Sequence, residues 1–287
     1  VFGRSSNHAA RGRLRAGTGS LIPLMRPPIP RSRAITYAGA AAASAGAAWL
    51  AYRHRQKQDA LMTCRLESVT DLSRDTARYR FATPRPLNST PMAHVLAVDE
   101  GNILRPYTPV AESDTGFEIV VRRYAGGYFS DKFENLKVGE ALTFKGPEPT
   151  LPYAPNAFDC VAFVCGGTGA APAVQLLRAA LADKEDTTRF RVLYLARTKR
   201  DQTLKRDLDA LKCDRLDLFC ACDDVDGLVD ATMLRRCLPA PSDTKSAVLV
   251  SGPPGLVRRL CGTIDKREPL GGLLAEMGYG AQVARLD

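Results

Sequence analysis

Between residues 62 and 152 the apolar positions fall in short alternating runs: CRLESVTDL (64–72), ARYRFATP (77–84), HVLAVD (94–99), FEIVVRRYA (117–125) and EALTFKGP (140–147). A period of two buries one face of a strand and leaves the other wet. Several such runs, bounded by Pro, Gly or Asp, predict a small antiparallel β-barrel. The pattern changes near Pro155. In residues 156–287, DCVAFVC (159–165), FRVLYLAR (190–197), LDLFCAC (216–222) and AVLVS (247–251) are apolar almost throughout. Helical spacing separates them: APAVQLLRAALAD (171–183), DQTLKRDLDALK (201–212) with Leu204, Leu208 and Leu211 on one face, ATMLRRCL (231–238) and LVRRLCGTID (256–265). Apolar strands alternating with helices predict a doubly wound parallel sheet, giving an α+β chain of two domains. Ligands of such a sheet lie at the carboxyl ends of its strands, here the loops 165–172, 196–201, 222–227 and 251–255.

Ahead of both domains, residues 34–52 run for 19 positions without a charge. As a helix they span about 28 Å, close to the thickness of bilayer hydrocarbon. Trp49 and Tyr52 stand nearest Arg53, Arg55 and Lys57, where ring side chains favour a membrane interface. Gly39, Ala43, Ser44, Gly46 and Ala47 make small faces on which another helix can pack. A single membrane helix is expected, with a soluble Ala-rich helix as the alternative. Residues 1–33 carry seven Arg and no Asp or Glu among Ser, Gly and Pro. That is the composition of a mitochondrial targeting segment, a plain basic tail being the alternative. The expected location is a mitochondrial membrane, the inner one, crossed once.

Charge narrows the partners. The 287-residue chain is formally +9, yet residues 1–58 alone hold ten basic residues and no acidic one. The remainder carries 30 Lys and Arg against 31 Asp and Glu. A folded part without a basic surplus cannot grip a polyanion, so nucleic acid is not an expected partner. The eight Cys include no CxxC pair and there are only three His, so no zinc spacing occurs and no metal is expected.

Four stretches carry chemistry. Gly166-Gly167-Thr168-Gly169 follows a strand and opens a helix, letting backbone and helix N-terminus approach a phosphate, with Pro172 in the first turn. Ser251-Gly252-Pro253-Pro254 ends a second strand at the same sheet edge. In the barrel, Arg105-Pro106-Tyr107-Thr108 combines a guanidinium fork for a diphosphate, a ring for a flat ligand and a hydroxyl. Gly127 and Ser130, before the helical SDKFENL (130–136), offer a second phosphate-type site.

Taken in order, RPYTP, VVRRY, GGYFS, VGEALTFKGP, GGTGAAP-x-x-Q, LARTKRDQTL and SGPP resemble the NADH-cytochrome b5 reductase branch of the ferredoxin-reductase-like flavoproteins, over residues 62–286. The resemblance implies FAD on the barrel, NADH on the α/β domain, and a hydride passing between them at the interface. Electrons then leave singly to a haem protein or a quinone-type acceptor. Carried over by motif, Arg105 would hold the FAD diphosphate, Tyr107 would pack on the isoalloxazine and Thr108 would bond near its N5. Arg122 and Tyr124 would lie in the strand along the flavin, with Gly127 and Ser130 completing the phosphate site. Gly166, Gly167, Thr168 and Gly169 would border NADH, with Pro172 and Gln175 shaping that helix. Arg197, Thr198 and Asp201 match the family's ART-x-x-D turn. Asp223 would accept from ribose hydroxyls and repel an added phosphate. Ser251, Gly252 and Pro253 would flank the nicotinamide, so Thr108 and Ser251 are the candidate catalytic residues.

The chain departs from the family pattern at several of these points. Ser251 stands where the family has Cys, Ala171 offers no hydroxyl, and Met92 replaces the Gly of a GQH turn. Pro149 stands for a Gly, Tyr128 for a basic residue, and Leu286 with Asp287 for a closing Phe. Two readings follow. One is a membrane-anchored mitochondrial FAD-dependent oxidoreductase driven by NADH. The other is a structural or assembly subunit of a mitochondrial membrane (respiratory) complex that keeps the reductase fold with reduced or no activity.

Overall fold

The computed structural model describes residues 61–101 and 103–286. The expected targeting segment 1–33, the expected membrane helix 34–52 and Asp287 lie outside the described residues. Among the described residues no helix is long and apolar enough to cross a membrane.

The first domain comprises β1 (Met62–Asp71), β2 (Thr76–Ala82), β3 (Ala93–Val98), β4 (Leu104–Tyr107), β5 (Ala111–Ser113), β6 (Gly116–Arg122), α1 (Tyr128–Asn135) and β7 (Ala141–Pro149). Its strands make one antiparallel sheet in the order β4-β3-β7-β1-β2-β6-β5. The ladder does not close between β4 and β5, so the expected barrel is a curled sheet with an open seam. Alternation decides what faces inward: Met62, Cys64 and Leu66 of β1, then Ala77, Tyr79 and Phe81 of β2, are buried, while Arg78 and Arg80 point outward. Phe81 meets Phe144 edge-on at 5.0 Å and stacks on Phe117 at 5.7 Å. Phe133 of α1 closes this core against Tyr79 at 4.9 Å, and the Tyr79 hydroxyl donates to the Phe133 carbonyl.

The second domain follows as β8 (Cys160–Gly166), a 3-10 turn (Gly167–Ala170), α2 (Ala171–Ala182), β9 (Arg189–Ala196), a 3-10 turn (Lys199–Asp201), α3 (Lys205–Asp209), β10 (Leu216–Cys222), α4 (Asp223–Asp226), α5 (Ala231–Cys237), β11 (Ser246–Ser251), α6 (Pro254–Cys261), α7 (Gly272–Glu276) and β12 (Val283–Arg285). Its sheet is parallel, in the order β10-β9-β8-β11-β12. The chain winds outward from β8 to β10 and then crosses back to β11, which leaves a crevice at the carboxyl ends of β8 and β11.

Some elements differ from the sequence reading. β4 and β5 escape it because both are short and mostly exposed, and Pro106 interrupts β4, so no alternation shows, which an edge strand tolerates. The helix expected over 201–212 is reduced to Lys205–Asp209. A capping box between Thr198 and Asp201 starts a tight turn instead, and Gln202 leaves helical geometry. Leu204 and Leu208 are nonetheless buried as their spacing requires.

The domains share a core, in which Met92, Val110 and Val120 of the first cluster with Ala171, Val174 and Leu177 of the second. Polar bonds cross the same junction. Gln175 of α2 accepts the Ala93 amide at 2.9 Å, and Arg78 of β2 reaches Asp207 of α3 at 2.5 Å. The linker is fastened as well. The carboxylate of Asp186, 2% exposed, accepts the Tyr153 hydroxyl at 2.5 Å and the amides of Thr188 (3.0 Å) and Asn156 (3.3 Å). Burial alone would raise the Asp186 pKa, but these bonds outweigh it and hold the carboxyl below its ordinary value.

Removing the Tyr153 hydroxyl takes one of those donors from a buried carboxylate. Tyr153→Phe is expected to cost about 1–2 kcal/mol in urea unfolding at pH 7. A depressed carboxyl contributes stability above its unfolded pKa, about 3.9, and loses it as pH falls through the lower folded value. The gap between Tyr153→Phe and the parent is therefore expected to narrow below about pH 4; a gap unchanged at low pH would exclude this role for the ionised Asp186.

Candidate functional site

A cleft of about 420 Å³ opens where the two domains meet. The first domain contributes Arg105–Thr108 at the end of β4, Val120–Arg122 of β6, and Gly127–Ser130 at the start of α1. The second contributes Gly166–Gly169, Ala171 and Pro172 from the β8–α2 loop, and Ser251–Pro254 from the β11–α6 loop. The two glycine loops expected to face one crevice do so.

Glycine is required where these loops touch. A Cβ on Gly169 would lie 2.5 Å from the Gly252 Cα, and one on Gly252 would lie 2.9 Å from the Gly166 nitrogen. Both clashes are with backbone, so no side-chain rotation relieves them. Gly252 also holds φ 142° and Gly167 φ 56°, values that L side chains rarely adopt. The consequence is a backbone-lined corner beside the start of α2, where unpaired N–H groups suit a diphosphate.

The opposite wall is built differently. Tyr107, half-buried, packs edge-on to Phe133 at 5.1 Å and so stands on the aromatic core. Burial pushes its phenol well up and the nearby Arg105 charge offsets only part of this, so the ring stays neutral. Arg105 is exposed; its Nη1 donates to the Leu104 carbonyl at 2.9 Å, and no carboxylate among the described residues pairs with it. That leaves most of a cationic fork for an anion. At α1, the Ser130 hydroxyl accepts the Tyr124 amide at 2.9 Å, and a Cβ on Gly127 would strike that hydroxyl at 2.8 Å. No side chain among the described residues caps this helix, so its first N–H groups are available beside the cleft. A cationic fork, a flat neutral ring and a bare helix end fit a flavin diphosphate; the glycine corner fits a dinucleotide.

Several expected residues are placed differently. Arg122 and Tyr124 both line the cleft, but the Arg122 charge is engaged by Asp75 at 2.7 Å, and Tyr124 lies just past the end of β6 with its ring 5.5 Å from the Arg122 guanidinium. Gln175 faces the junction with Ala93, away from the glycine corner. Thr198 and Asp201 bond each other at 3.0 Å and shape their own turn outside the cleft. Asp223, exposed at the start of α4, is also outside it, since β10 lies two strands from β8. Ser251 closes the cleft at the end of β11, only 2% exposed, and its hydroxyl makes no hydrogen bond to another described residue. Sequence reasoning missed Asp75, and also Asp99, whose Oδ1 accepts the Ile103 amide at 2.6 Å and whose carboxyl is held below its ordinary range, chiefly by the nearby Tyr128 hydroxyl. No periodicity or motif marks either residue.

Comparison with known proteins agrees with this geometry. The oxidoreductase FAD-binding domain family matches residues 63–153 and the oxidoreductase NAD-binding domain family matches residues 163–262. NADH-cytochrome b5 reductase 2 of Meyerozyma guilliermondii is 32% identical over 244 residues, covering 77% of this chain and 82% of that protein. NADH-cytochrome b5 reductase 2 of Candida glabrata is 33% identical over 239 residues, covering 75% and 79%. In fold, the chain is similar to the cytochrome b5 reductase domain of Ulva prolifera nitrate reductase, with a TM-score of 0.67, 24% identity and coverage of 79% and 97%.

The glycine contact can be tested directly. Gly169→Ala is expected to lower stability by about 1–3 kcal/mol, because two backbones must separate. Gly167→Ala, whose Cβ meets nothing within 4 Å, should cost only about 1 kcal/mol from its positive φ. Urea midpoints decide, and equal losses would show that the two loops are not in backbone contact.

Proposed function

Since the chain belongs to the NADH-cytochrome b5 reductase family of FAD- and NAD-binding oxidoreductases, we propose that it passes electrons to a haem protein from a mitochondrial membrane, held there by residues 1–58. FAD and NADH are its cofactors. One observation carries the functional reading: a single cleft has the Arg105–Thr108 wall on one domain and the two glycine loops on the other.

When bound, FAD supplies the exchange between a two-electron hydride donor and a one-electron acceptor. The chain supplies binding and orientation. Arg105 neutralises a diphosphate, assisted by the N–H groups at the start of α1. Tyr107 gives a neutral, aromatic-backed surface for a flat ring, and Thr108 presents a hydroxyl at the end of the same strand. The glycine corner brings a nicotinamide dinucleotide close without an intervening side chain. Ser251 offers a hydroxyl where the family pattern has a more polarisable thiol. Asp223, two strands from β8, suits the distal ribose of an extended dinucleotide and disfavours an added phosphate.

The names of the relatives support a cytochrome b5-type acceptor. The uncharged run 34–52 and the acid-free, Arg-rich run 1–33 support membrane attachment and mitochondrial import. The intact glycine contact, and an Arg105 with no carboxylate partner among the described residues, favour a working site over a fold-keeping subunit of a membrane complex.

The purified full chain is expected to be yellow, to bleach with NADH under anaerobic conditions, and to recover its colour as added oxidised cytochrome b5 shows its reduced band. A colourless protein, or a yellow one indifferent to NADH, overturns the reading; recovery with a short-chain quinone but not the haem protein overturns the acceptor. Full-length chain left in the supernatant after membranes are pelleted without detergent overturns the attachment. Arg105→Ala is expected to lose most of its FAD on gel filtration, and unchanged flavin content would remove Arg105 from the diphosphate site. Ser251→Cys is expected to raise the limiting rate of flavin reduction by NADH; an unchanged rate would show that Ser251 does not limit this step.

A further inference from the structure

We propose that Arg78 and Asp207 form a cross-domain latch setting the separation between the nicotinamide loop and the flavin wall, which makes Arg78 a positioning residue for hydride transfer. The inference rests on the NADH-to-FAD reading above.

Asp207 is 7% exposed and gathers three elements on one carboxylate. Oδ2 accepts from Nη2 of Arg78, on β2, at 2.5 Å, and Oδ1 accepts from Nη2 of Arg178, on α2, at 3.0 Å. The extra positive charge is balanced on the first domain, where Glu118 faces Arg78 at 3.3 Å and Arg80 at 3.5 Å. One helical turn before Arg178, Gln175 takes the Ala93 amide across the same junction. The α2 helix is thus tied to the first domain near its middle, while the turn immediately before it is the glycine corner.

The apolar contacts at this junction resist separation but carry no direction, so they permit sliding. A charge-assisted bond with a defined donor and acceptor fixes register. A stiff helix transmits that register to the glycine turn about 10–15 Å away. Hydride transfer depends steeply on placement, with about 1 Å of error costing as much as 10²-fold. Arg78 touches neither cofactor pocket nor cleft, so its effect can only be indirect.

The test uses the full chain loaded with FAD, in anaerobic stopped-flow reduction by NADH. Arg78→Gln leaves Arg178 to neutralise Asp207, so both domains retain their cores. Its limiting reduction rate is expected to fall about tenfold or more, with the half-saturating NADH concentration within about twofold of the parent. Arg78→Lys should restore most of the rate. Arg80→Gln, in the same charge network but within the first domain, should behave as the parent. Independently of turnover, hydrogen exchange at the Ala93 amide should quicken in Arg78→Gln. An unchanged limiting rate, a loss shared equally by Arg80→Gln, or unchanged Ala93 exchange overturns the latch. Where Arg78→Gln does not fold, Asp207→Glu, which keeps the charge but lengthens the arm, is read by the same criteria. Failure of NADH to reduce the parent protein would sink the oxidoreductase reading itself, a result separable from an Arg78→Gln protein as fast as its parent.

Discussion

Two main chains meet without side chains between them where Gly169 lies against Gly252, and the rest of the cleft is laid out from that contact. It joins the loops of β8 and β11, the strands between which the winding of the parallel sheet reverses. Any larger residue at either glycine would part the loops, and the corner that admits a dinucleotide would lose its shape. The doubly wound topology supplies a crevice at this edge in any such sheet. Glycine contact makes it narrow and backbone-lined.

The facing wall draws its stiffness from the first domain's core. Tyr107 rests on Phe133, Phe133 on Tyr79, and the Tyr79 hydroxyl is spent on the Phe133 carbonyl. A ring set on a close-packed aromatic chain has little room to tilt. Charge is disposed with the same economy: Arg122 is neutralised by Asp75, while Arg105 has no carboxylate partner among the described residues. Of the two, Arg105 is the one whose cation faces a ligand free of a described carboxylate.

Most of this was legible in the sequence, for identifiable reasons. β2 shows a period of two because one face is buried, and β8, β9 and β11 are apolar almost throughout because both faces are covered. The glycine loops announce themselves because no other residue type fits. β4 carries Pro106 at a sheet edge and shows no alternation, so it reads as a binding motif and not as a strand. Thr198 and Asp201 form a visible T-x-x-D signature, yet it opens a 3-10 turn and not the long helix the leucine spacing promised. Asp207 reads as a polar position on that helix. Its burial depends on Arg78, 129 residues away, and a single sequence does not display such a pairing.

Met92 shows how the junction constrains a single backbone position. Its φ is 62°, its side chain is 1% exposed in the core shared by both domains, and its carbonyl accepts the amides of Thr150 and Leu151 where the linker begins. A left-handed residue here costs about 1–2 kcal/mol, and burying an unbranched thioether returns about as much or more. Glycine would relax the torsion but leave a hole, whereas valine or isoleucine would fill the hole with a Cβ that the torsion rejects. Tolerance at this position should accordingly follow side-chain branching and reach, with hydrophobicity alone a poor guide.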